Sequence, residues 1–446
     1  MELKKKLEGL WEMSVSEMFA DFLTNLKVSN AETISLRYGE LTAALNKHFR
    51  DTESKEANTL QVGSFGRKTG IDGISDLDML YIVPQAKWDE YDKKKGQLKL
   101  LQDTRDAILK RYPKTRVRVD RLVVTVTYSN FHVEVQPVFA LDDGSYKYPD
   151  TKSDGSWKIT KPRQEMTAVA KMDEDKNCNL RRLCKMARAW KNKHGVAMGG
   201  LLIDTLAYNF LEATKTYDSK SYLYYDELSR DFFKFLADEP DQDTYWAPGS
   251  RQHVKVKKRF QRKAKKAYEF CLKAIEADGE DGVHEKWKKV FGRPFPSGTK
   301  AAVEDVAFTW DNTEEFIEDR FAVDITKSLI LDCDVKQNGF RKFYLSDLIK
   351  RKMPLKANKV LRFWIKELNV DGPYEIYWKV LNRGVEAEKR NIIRGQILPD
   401  GGYRQKQETS DFRGDHVVEC YCVINGVVVA KDRIHVSIDS DTGDYD

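Results

Sequence analysis

No apolar run in the 446 residues approaches the roughly 18 to 20 consecutive residues that a membrane span requires. The opening Met1-Glu2, followed by Lys4, Lys5 and Lys6, leads into an amphipathic pattern and not into the apolar stretch of a signal peptide. A cytoplasmic protein with no membrane partner is therefore expected. Cysteine is scarce: six residues cannot staple a chain of this size, and none form the CxxC pairs of a structural zinc site. Cys420 and Cys422 share one face of a strand-like run and read as buried small hydrophobes. A surplus of one charge is missing too. Lys plus Arg number 76 against 70 acids, a net +6 that does not by itself establish a nucleic-acid partner but leaves room for a local basic face. Internal repeats are absent. What remains, 41% hydrophobic and 33% charged residues, describes a globular chain long enough for two to four folded units.

The hydrophobic period changes three times along the chain. Residues 5–50 read as two amphipathic helices, with Leu7, Leu10, Trp11 and then Met18, Phe19, Phe22, Leu23 at helical spacing. From Thr59 short β-like runs follow (60–62, 77–83, 116–119, 122–128 and 131–139), with a charged helix over 88–111. A loop rich in Gly, Asp, Ser and Tyr over 142–158 then gives way to helices, clearest at 177–194, 201–214 and 255–277. After Pro354 alternation returns in 360–370, 375–382, 391–398, 417–424 and 427–438, with Asn425-Gly426 as a type I′ hairpin signal. The expected fold class is α+β: a mixed-sheet palm with N-terminal helices (1–170), a helical lobe (171–335) and a small all-β sandwich (356–446), ending in an acidic tail.

The chemistry concentrates in Leu60-Gln-Val-Gly63-Ser64-Phe-Gly-Arg-Lys-Thr69 and Ser75-Asp76-Leu-Asp78-Met-Leu-Tyr-Ile-Val83. A strand delivers the chain to Gly63-Ser64, where glycine lets the backbone approach a phosphate and the serine hydroxyl can donate to it. On the next strand the period of two puts Asp76 and Asp78 on one face and Leu77 and Met79 on the other. Two acids side by side repel unless a cation lies between them, which points to a divalent metal site. A third ligand is available in Phe131-His-Val-Glu134-Val-Gln-Pro-Val-Phe139, where Glu134 shares a face with His132 and Gln136. Three carboxylates beside a phosphate-cradling loop are what two-metal phosphoryl transfer needs.

This order, Gly-Ser, then Asp-x-Asp, then a later acid between hydrophobic residues, resembles the polymerase-β-like nucleotidyltransferase superfamily. Thr69 and Ser75-Asp76-Leu77-Asp78 narrow the resemblance to the bacterial second-messenger synthases related to cyclic GMP-AMP synthase and oligoadenylate synthase. The resemblance implies that Asp76, Asp78 and Glu134 bind two Mg²⁺ (or Mn²⁺) ions, and that Gly63 and Ser64 bind the triphosphate. Many relatives have Asp where this chain has Glu134. The helix Leu180-Arg-Arg-Leu-Cys-Lys185-Met-Ala-Arg188-Ala-Trp190-Lys191 is similar to the family's triphosphate-binding helix, with the phosphate contact open between Lys185, Arg188 and Lys191. The serine that relatives place at the start of the next helix is absent from Gly199-Gly200-Leu201-Leu202.

Further on, Trp378 to Gly384, Ile393 to Ile397, Glu408-Thr409, Gly414 to Tyr421 and Asn425-Gly426 resemble the sensor domain that often follows these synthases. Asn382, Arg383, Arg394, His416 and Glu419 are its candidate ligand-binding residues. Arg251 to Lys266 holds nine basic residues and no acid; it reads either as a solvated helix face or as a platform for an activating nucleic acid. Together the resemblances imply an ATP-binding, nucleoside-triphosphate-consuming enzyme that makes a cyclic di- or trinucleotide for a downstream effector in bacterial antiphage (CBASS) defence. Two rivals stand beside it: a transferase acting on an RNA or protein acceptor, and a non-catalytic ligand sensor.

Overall fold

The structure, a computed structural model, describes residues 11–300, 315, 317–336, 343–351, 355–382, 386–387, 394–411, 414–424 and 426–439. Leu7, Leu10, Arg383, Asn425 and the acidic tail from 440 lie outside the described residues. Two compact units emerge, one within 1–193 and 198–302, the other within 194–197 and 303–446.

The first unit is built on a mixed seven-stranded sheet. Its central order is Thr59–Gln61, Asp76–Ile82, His132–Ala140, Val124–Thr127, Arg116–Val119. Asp76–Ile82 and His132–Ala140 run parallel, so the chain must cross over between them, and it does so through the helix Gly96–Arg111. The crossover covers one face only. Leu77, Met79 and Tyr81 from one strand and Val133 and Val135 from its neighbour point into a core shared with Leu100, Leu101 and Ile108 of that helix and with Ile34, Leu41 and Leu45 of Ala31–Arg50. Alternation leaves the even-numbered side chains of both strands on the opposite face, away from this core.

The helical part comprises Pro162–Asp175, Asn179–His194, Gly200–Ala213, Tyr225–Asp238, Gln261–Glu276 and Val283–Phe291. The helix Val15–Asn25 packs into it through Phe19 and Phe22, whose rings meet those of Tyr225, Trp287, Phe291 and Phe295 at 4.8 to 6.2 Å.

Four sequence expectations change. Trp11 belongs to the short strand Trp11–Glu12, paired with Thr299–Lys300, and not to a helix. The 88–111 helix is broken: Trp88–Tyr91 and Gly96–Arg111 are separated where Lys95 adopts a left-handed φ of 62°. The 142–158 loop is instead occupied by a hairpin, Tyr146–Asp150 against Ser156–Thr160; the buried Asp150 pins it by accepting from Arg121 at 2.6 and 2.5 Å and pairing with Lys158 at 2.6 Å. The helix placed at 255–277 starts only at Gln261, because His253–Lys255 pairs with Thr244–Trp246. The basic run therefore spreads over a strand, a turn and a helix and does not form a single helical stripe.

The second unit holds two sheets around one core. One orders Ala322–Val323, Val427–Asp439, Gly414–Ile424, Glu375–Leu381 and Arg394–Pro399, with Leu355–Lys356 also on Val427–Asp439; the other orders Phe343–Tyr344, Leu329–Lys336, Val360–Leu368 and Gln405–Thr409. Cys333, Leu361 and Phe363 from the second meet Trp378, Val418, Cys420 and Cys422 from the first in one buried cluster. Leu329–Lys336 thus joins this unit ahead of residue 356. Ile424 pairs with Val427, so the connection at Asn425-Gly426 is two residues long.

Candidate active site

The face of the parallel pair turned away from the crossover helix carries the acids. Asp76 faces His132 in register, Asp78 faces Glu134, and Leu80 faces Gln136. Backbone pairing alone therefore sets Asp78 beside Glu134, with Asp76 two residues away on the same face. Asp78 is held from behind: its carbonyl accepts from Val62 N–H at 3.0 Å and from the Tyr38 hydroxyl. Ser75 Oγ donates to Asp76 Oδ1 at 2.9 Å.

Gly63 opens the single helical turn Gly63–Gly66 directly after the Thr59–Gln61 strand. Its φ is +62°, and a Cβ placed there would lie 1.8 Å from Asp78 Oδ2. Only glycine combines that backbone with that approach. The turn is thereby pressed against the acidic face, and Gly63, Asp78, Glu134, Gln136, Thr160 and Glu165 line one cavity of ≈180 Å³.

Glu134 records the electrostatics of this face. Although 36% of its side chain is accessible, its carboxyl is pushed up to about 7, by burial of the charged form first and then by the negative charges of Asp78 and Asp120. Among the described residues no group of three or more His, Cys, Asp or Glu side chains is arranged as a metal ligand set. The backbone register collects the three acids on one face, while repulsion among like charges opposes closing their oxygens into a cage. The donor chemistry, hard carboxylate oxygens beside a phosphate-sized cavity, suits Mg²⁺ or Mn²⁺.

The helix Asn179–His194 divides its basic residues by environment. Arg188 is buried, and its guanidinium donates to Asp204 Oδ1 at 2.6 Å, Gly200 O at 3.1 Å and Cys184 O at 3.3 Å. Lys191 is buried as well. Lys185 is half-buried and, among the described residues, forms no salt bridge. Its ammonium is pushed below the usual lysine range by burial first, then by Arg181, with Lys27 and Arg188 adding to the effect and Asp173 opposing it. A lysine surrounded by cations in this way is a ready partner for an anion.

Residues 13–173 match the Second Messenger Oligonucleotide or Dinucleotide Synthetase domain, and residues 311–439 match the Adenylyl/Guanylyl and SMODS C-terminal sensor domain. The chain carries, in that order, a second-messenger synthetase domain and a C-terminal sensor domain. It is accordingly a nucleotidyltransferase of the cyclic-oligonucleotide-synthase class. No curated protein matches it. Among solved structures, Escherichia coli MS115-1 CdnC in complex with HORMA-deltaN is 16% identical over 63% of this chain and 98% of that one, with a TM-score of 0.49. The Vibrio cholerae DncV cyclic AMP-GMP synthase is 16% identical over 54% and 70%, TM-score 0.44, and Bradyrhizobium diazoefficiens CdnG in complex with GTP is 12% identical over 62% and 96%, TM-score 0.45. The assignment rests on the two domain matches. No helix among the described residues of the synthetase is long and apolar enough to cross a membrane.

In the sensor domain, Asn382, Arg394 and His416 line one cavity of ≈250 Å³ together with Glu408. Arg394 donates to both carboxylate oxygens of Glu408 at 2.6 and 3.0 Å. Glu419 lies elsewhere, paired with Lys379 at 3.7 Å and accepting from the Tyr421 hydroxyl at 2.7 Å.

Sequence reasoning passed over Arg67, Glu165 and Asp204 of the first unit, which the structure buries in one network. A signal existed: Asp204 is the lone charge in Gly200-Leu-Leu-Ile-Asp204-Thr-Leu-Ala207. A carboxylate amid an apolar helical run persists only when it is paired.

Proposed function

We propose that this synthetase condenses nucleoside triphosphates, ATP among them, into a cyclic di- or trinucleotide with release of pyrophosphate. The product would reach a downstream effector in a bacterial antiphage (CBASS) response. The observation that supports the chemical part is the approach of Gly63 to Asp78, which sets the Gly63–Gly66 turn, read here as the phosphate cradle, against an acidic strand face. In this reading Gly63 and Ser64 receive the β and γ phosphates, and Asp76, Asp78 and Glu134 hold two Mg²⁺ or Mn²⁺ ions. Bound there, the ions supply acidity to the attacking 3′ or 2′ hydroxyl and neutralise the leaving pyrophosphate.

The chain's own side chains do the rest. Lys185 meets the triphosphate, supported by the cations around it. Arg188 acts one step back, since Asp204 already engages it. Residues 1–170 carry the acids and the cradle, 171–335 the triphosphate helix, and 356–446 a site for a nucleotide-like ligand at Asn382, Arg394 and His416.

Asp76→Asn combined with Asp78→Asn is expected to cut product formation at least about 1000-fold, removing the groups that hold the charge-neutralising ions, while far-UV dichroism and melting stay native. Turnover that survives both changes would refute the assignment. The reading with an RNA or protein acceptor is separated by incubating labelled triphosphates with the enzyme alone. A small phosphatase-resistant product supports cyclisation; product only on adding an acceptor supports the rival.

A further inference from the structure

Asp204 lies in the N-terminal half of Gly200–Ala213 and is fully buried. A charge in that position needs several partners to offset lost hydration. Its Oδ1 accepts from Arg188 Nη1 at 2.6 Å, and its Oδ2 accepts from Arg67 Nε at 2.8 Å and from Thr69 Oγ1 at 2.9 Å. Burial alone would raise this carboxyl; Arg188 and then Arg67 outweigh it and hold it at about 2, so it stays ionised at neutral pH. The network runs on from Arg67 to Glu165 at 3.4 Å, which accepts from Ser250 Oγ at 3.0 Å.

Two of the three partners belong to the segment that closes the Gly63–Gly66 turn. Arg67 N–H donates to Gly63 O at 3.1 Å, Thr69 N–H donates to Ser64 O at 2.9 Å, and Gly70 N–H donates to the same oxygen at 3.1 Å. Arg67 and Thr69, whose side chains Asp204 grips, therefore each anchor the carbonyl of a cradle residue through the backbone N–H. The third partner, Arg188, lies on the helix that carries Lys185, one turn away. Arg181 of that helix also reaches across, donating from Nε to Arg67 O at 3.1 Å.

We infer that Asp204 is a positioning residue for triphosphate recognition: through Thr69 and Arg67 it fixes the Gly63-Ser64 turn, and through Arg188 it fixes the Lys185 helix relative to that turn. It does this without touching the nucleotide. The inference rests on the reading of Gly63 and Ser64 as a phosphate cradle, and the experiment separates the two.

In the full-length protein, equilibrium binding of each nucleoside triphosphate and of its matching nucleoside gives a ratio that measures what the triphosphate contributes. Loss of one hydrogen bond is worth about 3- to 10-fold, so Ser64→Ala and Thr69→Val are each expected to lower the ratio by about that much with nucleoside affinity unchanged. The double variant should lose less than the product of the two, because both act on one turn. Asp204→Asn should lower the ratio at least about 10-fold, charge-assisted bonds being stronger than neutral ones. If Asp204→Asn fails to fold, Thr69→Val decides, since it removes one hydroxyl and leaves no charge unpaired. A lower ratio in Ser64→Ala with no change in Thr69→Val and Asp204→Asn, or parallel losses of triphosphate and nucleoside in those two, would show a network that only supports the fold and would overturn the inference. An unchanged ratio in Ser64→Ala would instead remove the cradle reading, and the inference with it.

Discussion

Gly63 has no room for a methyl group: the added carbon would collide with Asp78 Oδ2 in a backbone conformation that L side chains avoid. Gly63→Ala is expected to cost about 1–2 kcal/mol in urea melts from the left-handed backbone alone. By displacing Asp78 it should also lower kcat at least about 100-fold. Glu134 gives a second test at this scale. In metal-free protein the folded state keeps its proton up to about 7, whereas the unfolded chain releases it near 4.5. Between those values the native state binds more protons, so this group's contribution to stability falls as pH rises through the window and is flat above it. Glu134→Gln should flatten that part of the pH dependence in urea melts run with chelator; an unchanged slope would mean that another group is titrating. The three acids and Gly63-Ser64 were legible in the sequence because strand alternation and a glycine are local signals. Asp204 was not read, because its partners Arg67 and Thr69 come from a distant segment and only the fold brings them together.

Local chemistry decides how well each element could be foreseen. The helix Val15–Asn25 opens with a reciprocal cap: Ser14 Oγ accepts from Glu17 N–H at 3.3 Å, and Glu17 Oε2 accepts from Ser14 N–H at 2.7 Å. Ser14→Ala is therefore expected to destabilise the protein by about 1 kcal/mol, read as a lower urea midpoint with the slope unchanged. The strands Asp76–Ile82 and His132–Ala140 were legible because one face of each is apolar without interruption. The hairpin Tyr146–Asp150 with Ser156–Thr160 was not, since Pro149 and the Gly, Asp and Ser around it are turn-forming residues. What overrides that composition is Asp150 with Arg121 and Lys158, two cations supplied from outside its own strand. The early start given to the Gln261–Glu276 helix has the same origin: lysine and arginine are good helix formers, and only the pairing of His253–Lys255 with Thr244–Trp246 shows where the strand stops.

At the scale of the molecule, each unit has a core of its own, the first around Leu77, Val133 and Leu101 and the second around Phe363, Trp378 and Cys420. A chain ending at residue 302 is therefore expected to melt cooperatively and to retain triphosphate binding in equilibrium titrations; a non-cooperative melt would show that its core is insufficient. Arg394 joins the two sheets of the second unit through Glu408, since the arginine lies on Arg394–Pro399 and the acid on Gln405–Thr409. Arg394→Ala should lower that unit's melting midpoint and leave metal binding by the first unchanged, which calorimetry and metal titration check on one sample. The all-β character of this unit was legible from alternation. Its true beginning was not, because Leu329–Lys336 precedes the Pro-containing segment that looked like a boundary and pairs back across it with Val360–Leu368.

The parallel pairing of Asp76–Ile82 with His132–Ala140 has a consequence in time. A chain leaving the ribosome presents Gly63 and Asp78 first, yet Asp78 meets Glu134 only after the whole crossover has been synthesised and has folded back. Asp204 and the helix that presents it arrive later still. A prematurely terminated chain that stops before these segments holds half of an acidic face and a turn that nothing anchors. The order of translation thus decides when the site can exist, because the fragments produced by aborted synthesis lack the paired acids and the anchored turn.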